Sequence, residues 1–218
     1  MTPGDLPPTT ALADVLLIQR MKGVLSPPLA PFTRIPDRVS GAARTVQLEP
    51  VDSGADGSLD RLYALLDEDL AGAVVVVAGA EDVEAAVWGQ ILARAARRAG
   101  AVAAVVAGGV RDREELTAEG VPVWGLGERT VGAVGLARVV DGDEPVFACD
   151  VLVERGDMVV VDPHGVVALP RVQAPQLLAA ARDLAAGEDA LLAELDGGGR
   201  LARAYGHKRS AVDRIRGR

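Results

Sequence analysis

The run Ala73-Val74-Val75-Val76-Val77-Ala78, answered at residues 101–106 by Ala-Val-Ala-Ala-Val-Val and then by Gly108-Gly109-Val110-Arg111-Asp112, decides the fold class of this 218-residue chain. Both runs are apolar at every position. A strand reads that way when both of its faces are covered, as in a parallel sheet. Between them, Val83, Ala86, Val87, Ile91, Leu92, Ala95 and Ala96 recur at helical spacing, and Gly100 follows as a C-terminal cap. The spacing predicts a helix over 81–99. Strand, helix and strand then form a parallel pair with a right-handed crossover. Gly89 lies inside that predicted helix, where glycine costs about 1 kcal/mol relative to alanine. The alternative is that Gly89 starts the helix, with residues 81–87 a separate turn or loop.

Working outward, the same periods organise the rest. Residues 11–22 read as a short helix that Thr10 could cap, followed by a loop through Pro27, Pro28, Pro31 and Pro36. Residues 41–48 read as a strand and 58–67 as a helix with Leu59, Leu62, Leu65 and Leu66 on one face. Beyond Asp112 the pattern predicts a helix at 114–119 and strands at 121–125, 136–140, 146–148 and 151–153. A hairpin-like pair follows at 158–162 and 165–169, turning around Pro163, His164 and Gly165. A long amphipathic helix covers 174–195. Strands in the middle with helices between and at both ends define an α/β class, with sheet layers covered by helices. The expected organisation is one domain over 1–196 and a basic C-terminal tail over 197–218.

Composition narrows the function. Hydrophobic residues make up 49% of the chain and aromatics 3%, so the core is Ala, Val and Leu, with too little aromatic surface to stack bases. The net charge of −8 repels a phosphate backbone unless the basic residues cluster. They do so only in the tail, with His207, Lys208, Arg209, Arg214, Arg216 and Arg218. That tail reads as a solvated helix end, with nucleic-acid contact as the alternative. Cys149 is the single cysteine, which forbids an intrachain disulfide and fits a cytoplasmic protein. The longest apolar run, 71–80, is too short to span a bilayer, so no membrane partner is expected.

Two histidines and one cysteine leave little for a histidine metal site or a thiol nucleophile, and His164 reads as a solvent-facing turn residue. Carboxylates, arginines and backbone amides remain. Ligand sites in open parallel sheets lie beyond the carboxyl ends of the strands, where Gly108-Gly109-Val110-Arg111-Asp112 falls. An Arg there can clamp an anionic or carbonyl oxygen, and an Asp can hold a hard divalent cation. The plain alternative is an Arg–Asp ion pair rounding off a turn. At Gly89 to Leu92 a helix start would offer free amides to an anion; the alternative is close packing of helix on sheet.

Taken together, Trp88-Gly89-x-x-Leu92-Ala93, Ala96, Gly100 and Gly109-Val110-Arg111-Asp112 resemble the RraA-like family. So does Gly156-Asp157-Met158-Val159-Val160-Val161-Asp162-x-x-Gly165-Val166-Val167-x-x-Pro170, and so does Gly41-Ala42-Ala43-Arg44-Thr45-Val46. The resemblance covers about residues 9–195. It implies a layered β/β/α swivelling-type domain with flanking N- and C-terminal helices, assembled as a homotrimer or hexamer. It also implies a class II pyruvate aldolase that cleaves 4-hydroxy-4-methyl-2-oxoglutarate-type oxo acids and decarboxylates oxaloacetate. By the same resemblance Asp112 anchors Mg²⁺ or Mn²⁺, and Arg111 binds the carbonyl side of the substrate. The backbone of Gly89, Gln90, Ile91 and Leu92 holds the pyruvate carboxylate, and Glu188 of a neighbouring subunit joins the metal-water network. The chain departs from the family pattern at Gln90, Ala107, Ala73 and Ala78, where the family usually carries acids. Those departures keep open a lyase acting on another keto acid, or a non-catalytic protein-binding module like the regulators of ribonuclease activity.

Overall fold

The computed structural model describes residues 6–25, 29–35, 38–51 and 57–217. Most of the N-terminal lead-in, Pro27, Pro28 and Pro36 of the proline-rich loop, and Arg218 lie outside the described residues. The elements run α1 (Thr9–Ile18), β1 (Val24–Leu25), β2 (Ala30–Pro31), β3 (Val39–Pro50), α2 (Asp60–Leu66), β4 (Ala73–Ala80), β5 (Ala86–Trp88), α3 (Gln90–Arg98) and β6 (Ala103–Val110). They continue with α4 (Arg113–Glu119), β7 (Val123–Glu128), β8 (Ala137–Gly142), β9 (Val146–Ala148), β10 (Val151–Val153), β11 (Met158–Asp162), β12 (Gly165–Leu169), α5 (Ala174–Asp196) and α6 (Leu201–Ile215).

Ten strands form one mixed sheet in the order β1-β12-β11-β3-β4-β6-β7-β2, with β5 added on β6 and β8 on β3. The pairs β3/β4, β4/β6, β5/β6 and β6/β7 are parallel, as the two apolar runs require. Alternation along β4 shows how both faces are buried. Val75 and Val77 point into the layer shared with α2, α3 and α4, while Val74, Val76 and Ala78 pack against the separate β9–β10 hairpin. Each fully buried Val contributes about 1.5 to 3 kcal/mol, so both coverings stabilise the same strand. The result is a helix layer, a sheet layer and a small β layer. Beyond β11 and β12, Val160, Val167 and Leu169 turn to a third cluster under α1, α5 and α6.

Three expectations change. The helix over 81–99 is two elements: β5 pairs with β6 (Trp88 opposite Val110), and α3 begins only at Gln90. The apolar residues at 83, 86 and 87 fit a helical period by coincidence, since residues 85–89 are all buried as in an inner strand. The N-terminal helix starts at Thr9 after Pro8 rather than under a Thr10 cap. The Thr9 hydroxyl is engaged by Asp162 instead, at 2.5 Å. Finally, residues 201–215 form a full helix. It buries Ala204 and Ala211, and four of its basic side chains meet acids of α1 and α5. Lys208 bridges Asp14 (3.1 Å) and Glu188 (2.5 Å), Arg214 pairs with Asp183 (2.7 Å), and Arg203 and His207 both meet Glu194. The Glu188 carboxylate holds the Lys208 ammonium above its ordinary pKa. No helix among the described residues is long and apolar enough to cross a membrane.

Candidate active-site cleft

The carboxyl end of β6 carries Val110, Arg111 and Asp112 to the surface, and the neighbouring β5 delivers Gly89 and the start of α3 beside them. Backbone pairing locks the two together: the Arg111 amide donates to Trp88 O at 3.0 Å. A third segment joins from the loop after β7, where Ala86 N donates to Val131 O (2.7 Å) and Ala133 N to Ala86 O (3.1 Å). These segments and α2 surround a cleft of about 390 Å³ that Arg111 and Asp112 line.

Asp112 is unusual in two ways. Its backbone is left-handed (φ 61°, ψ 47°), a region that costs a non-glycine residue about 1 kcal/mol and that Asp and Asn tolerate best. Its backbone carbonyl starts α4 by accepting from Leu116 N at 2.8 Å. Its side chain leaves α4 uncapped and turns to α3, where Oδ2 accepts the Gln90 amide at 3.0 Å. Oδ2 also lies 3.6 Å from Arg111 Nε. The two side chains are 41% and 36% exposed, so that ion pair is worth at most about 1 kcal/mol. Both sequence readings of Arg111-Asp112 therefore coexist: the residues touch, and they remain open to the cleft.

Gly89 is extended (φ −163°), a conformation any residue adopts, so its role is spatial. A Cβ there would sit 2.7 Å from Asp112 Oδ2 and 3.1 Å from Arg111 Cγ. Gly132 likewise leaves room for the guanidinium, with Arg111 Nη1 2.8 Å from the place of a Cβ. Gly89→Ala is expected to displace the Asp112 carboxylate and break its bond to Gln90. The Gln90 amide should lose about tenfold of its hydrogen-exchange protection while far-ultraviolet dichroism stays unchanged. Unchanged protection would mean the site tolerates the methyl group.

Of the amides at the α3 N-terminus, Ala93 N bonds to Gly89 O at 3.0 Å and Gln90 N is held by Asp112. Ile91 and Leu92 are then the first-turn amides without an acceptor inside the helix. The Gln90 side chain lines a separate groove with Arg94 and Arg98 rather than the cleft. Glu188 lies on α5, where it pairs with Lys208 of α6, and it does not line the cleft of its own chain. Cys149 sits in the β9–β10 turn, where burial and then the charges of Glu81 and Asp150 push its thiol up to about 11, against formation of the thiolate.

Among the described residues, no three His, Cys, Asp or Glu side chains are grouped to hold a metal. A magnesium ion commonly keeps several waters and takes one or two protein carboxylates. Asp112, half open at the cleft with one oxygen turned to Gln90, fits that sparse kind of site.

Sequence reasoning missed part of the lining. Tyr63 and Leu66 of α2 and Val134 of the loop after β7 also line the cleft. The only signal was the short Gly132-Ala133-Val134-Gly135 run, which reads as an ordinary loop.

Residues 9–168 match the RraA-like family, described as Aldolase/RraA. The chain belongs to the RraA-like family. A Halalkalibacterium halodurans protein with the provisional name 4-hydroxy-4-methyl-2-oxoglutarate aldolase is 29% identical over 185 residues, covering 84% of this chain and 82% of its own. The crystal structure of Streptomyces coelicolor RraAS2, named as an unusual member of the RNase ES inhibitor RraA protein family, superposes with a TM-score of 0.70. It is 29% identical over 83% of this chain and 88% of that one. An uncharacterised Pseudomonas syringae pv. tomato protein shares the fold, with a TM-score of 0.78 at 24% identity, covering 91% of this chain and 92% of that one.

Proposed function

We propose that this RraA-like protein is a divalent-metal-dependent lyase that releases pyruvate from a 4-hydroxy-2-oxo acid, with oxaloacetate decarboxylation as a second activity of the same site. The observation that carries the reading is the meeting of Arg111, Asp112 and the α3 N-terminus at one cleft. The name given to the Halalkalibacterium relative supports it. Assembly as a homotrimer or hexamer, with Glu188 of one subunit near the cleft of the next, belongs to the same proposal.

The chemistry follows from the groups present. The amides of Ile91 and Leu92, at the positive end of α3, receive the substrate carboxylate. Arg111 places its guanidinium on the 2-oxo oxygen, where negative charge grows as the C3–C4 bond breaks. Mg²⁺ or Mn²⁺ held by Asp112 would add Lewis-acid polarisation of that oxygen. As the 4-hydroxyl gives up its proton, the C3–C4 electron pair passes into the pyruvyl group as an enolate, which is then protonated at C3. Asp112, the acceptor at this end of the cleft, orients a water that carries the proton. Decarboxylation of oxaloacetate leaves the same enolate, so it needs no further group.

The test is a coupled assay for pyruvate with a panel of 4-hydroxy-2-oxo acids and oxaloacetate, with Mg²⁺, Mn²⁺ or EDTA. Metal-dependent release that EDTA abolishes is expected. No release from any substrate by the folded protein would sink the proposal and favour a non-catalytic binding role, as in the inhibitor family named for the Streptomyces relative.

A further inference from the structure

We propose that a second cavity, where the Ala42–Met158 end of the β3–β11 pair meets the start of α5, binds an amphipathic anion with its acidic head on Arg171 and a straight alkyl tail along α5. This cavity shares no lining residue with the Arg111 cleft, and the proposal is independent of the lyase reading.

The cavity measures about 440 Å³. Its apolar lining comes from Ala42 of β3, Met158 of β11, and Ala174, Pro175 and Leu178 of α5. Ala174, Leu178 and Arg182 recur at helical spacing, so one face of α5 supplies apolar surface first and a cation at its far end. Among the described residues, the only charged groups in the lining are Arg171 and Arg182, in a chain of net charge −8.

Arg182 is engaged in an interaction of its own, so the head group is assigned to Arg171. The Arg171 side chain lies over Gly156, with its Cδ 3.8 Å from the place of a Cβ there. Its backbone is tied down, since the amide donates to Asp157 Oδ1 at 2.9 Å. Its guanidinium has no hydrogen-bond or ion-pair partner among the described residues. The neighbouring acids are committed elsewhere. Asp157 is 5% exposed and accepts the amides of Arg171 and Glu154, and Asp183 pairs with Arg214. An unopposed cation thus stands beside hydrocarbon. A carboxylate or phosphate can take paired hydrogen bonds from Arg171. An alkyl chain gains by leaving water for Met158, Ala174 and Leu178. A small hydrophilic anion gains only the first of these and a neutral hydrocarbon only the second, so the site selects molecules that carry both.

Isothermal calorimetry on the full-length protein tests this with octanoate and octyl phosphate. At least one should bind, the tighter of the two naming the head group. Octylamine, with the same tail and a cationic head, should not. Across hexanoate, octanoate and decanoate, or the matching alkyl phosphates, each methylene should tighten binding roughly two- to fourfold. Arg171→Gln keeps the backbone bond to Asp157 and should weaken the bound octyl anion about tenfold or more, with an unchanged melting temperature. Arg111→Gln should leave that affinity as it was, which separates this cavity from the cleft. Failure of both anions to bind overturns the proposal. So does an affinity indifferent to tail length or to Arg171→Gln, and so does binding lost in Arg111→Gln instead.

Discussion

Asp112→Asn should lower metal-dependent pyruvate release by about 10²- to 10³-fold while leaving the fold intact. Asparagine isolates the charge. Its side-chain oxygen can still accept the Gln90 amide that Asp112 Oδ2 accepts at 3.0 Å, and Asn tolerates the left-handed backbone at φ 61°. What it removes is the anionic oxygen that would hold a divalent cation. Asp112→Ala removes that oxygen too, but it also deletes the acceptor at α3, a loss of about 1 kcal/mol. Alanine also tolerates the left-handed backbone less well than Asp or Asn. Activity should therefore fall alike in both variants, and only the Ala variant should lose melting temperature. A metal titration supplies the second readout, since Asn should weaken the apparent Mg²⁺ affinity. Asp112→Asn turning over at the unmodified rate, with unchanged metal dependence, would take Asp112 out of the chemistry.

How much of this could be read from the chain depends on the distance over which each feature is encoded. The inner strands were legible because burial on both faces leaves a local mark, six valines or alanines in a row; β4 starts at Ala73 as read, while β6 starts at Ala103 and runs on through Gly108 and Gly109 to Val110. The turn at His164 was legible for the same reason, and the residue is exposed between β11 and β12. Residues 83–88 misled because a three-residue strand is shorter than one helical repeat, so two periods fit equally well. Arg111 and Asp112 stood out because they are adjacent at a strand end. The reason for Gly89 was hidden, because it lies in the clearance to Asp112 Oδ2, a residue 23 positions later. Pairings over longer spans left no local mark at all. Arg44 of β3 is buried with Asp143 at 2.6 Å and Glu68 at 2.6 Å, and nothing near Arg44 in sequence announces either partner. The α2 part of the cleft lining belongs to this class, since Tyr63 and Leu66 meet Arg111 and Asp112 at one cleft only in the folded chain.

The largest loss of stability is expected from Asp162→Ala, about 3 kcal/mol or more by urea denaturation with an unchanged slope. Asp162 belongs to the Gly-Asp-x₄-Asp motif, yet it lies far from chemistry: 1% exposed, at the end of β11. Its Oδ1 accepts the His164 amide (2.8 Å), the Gly165 amide (3.2 Å) and the Thr9 hydroxyl (2.5 Å), and its Oδ2 accepts the Thr9 amide (2.8 Å). One carboxylate thereby closes the β11–β12 turn and fastens the first residue of α1 onto it, across 153 positions. Alanine would leave these buried donors without an acceptor, and an unmade buried hydrogen bond costs more than a made one contributes. Asparagine should do little better, since its NH₂ group would face the Thr9 amide, donor against donor. Thr9→Val is the graded control: it deletes only the hydroxyl and should cost about 1 kcal/mol. Hydrogen exchange locates the damage, with the amides of His164, Gly165 and α1 losing protection before those of β4 and β6. A midpoint within error of the unmodified protein for Asp162→Ala would mean that water replaces the carboxylate without penalty. The expected result would instead make the Thr9–Asp162 bonds the tie that joins the first residue of the family-matched region, 9–168, to the β11–β12 turn near its end.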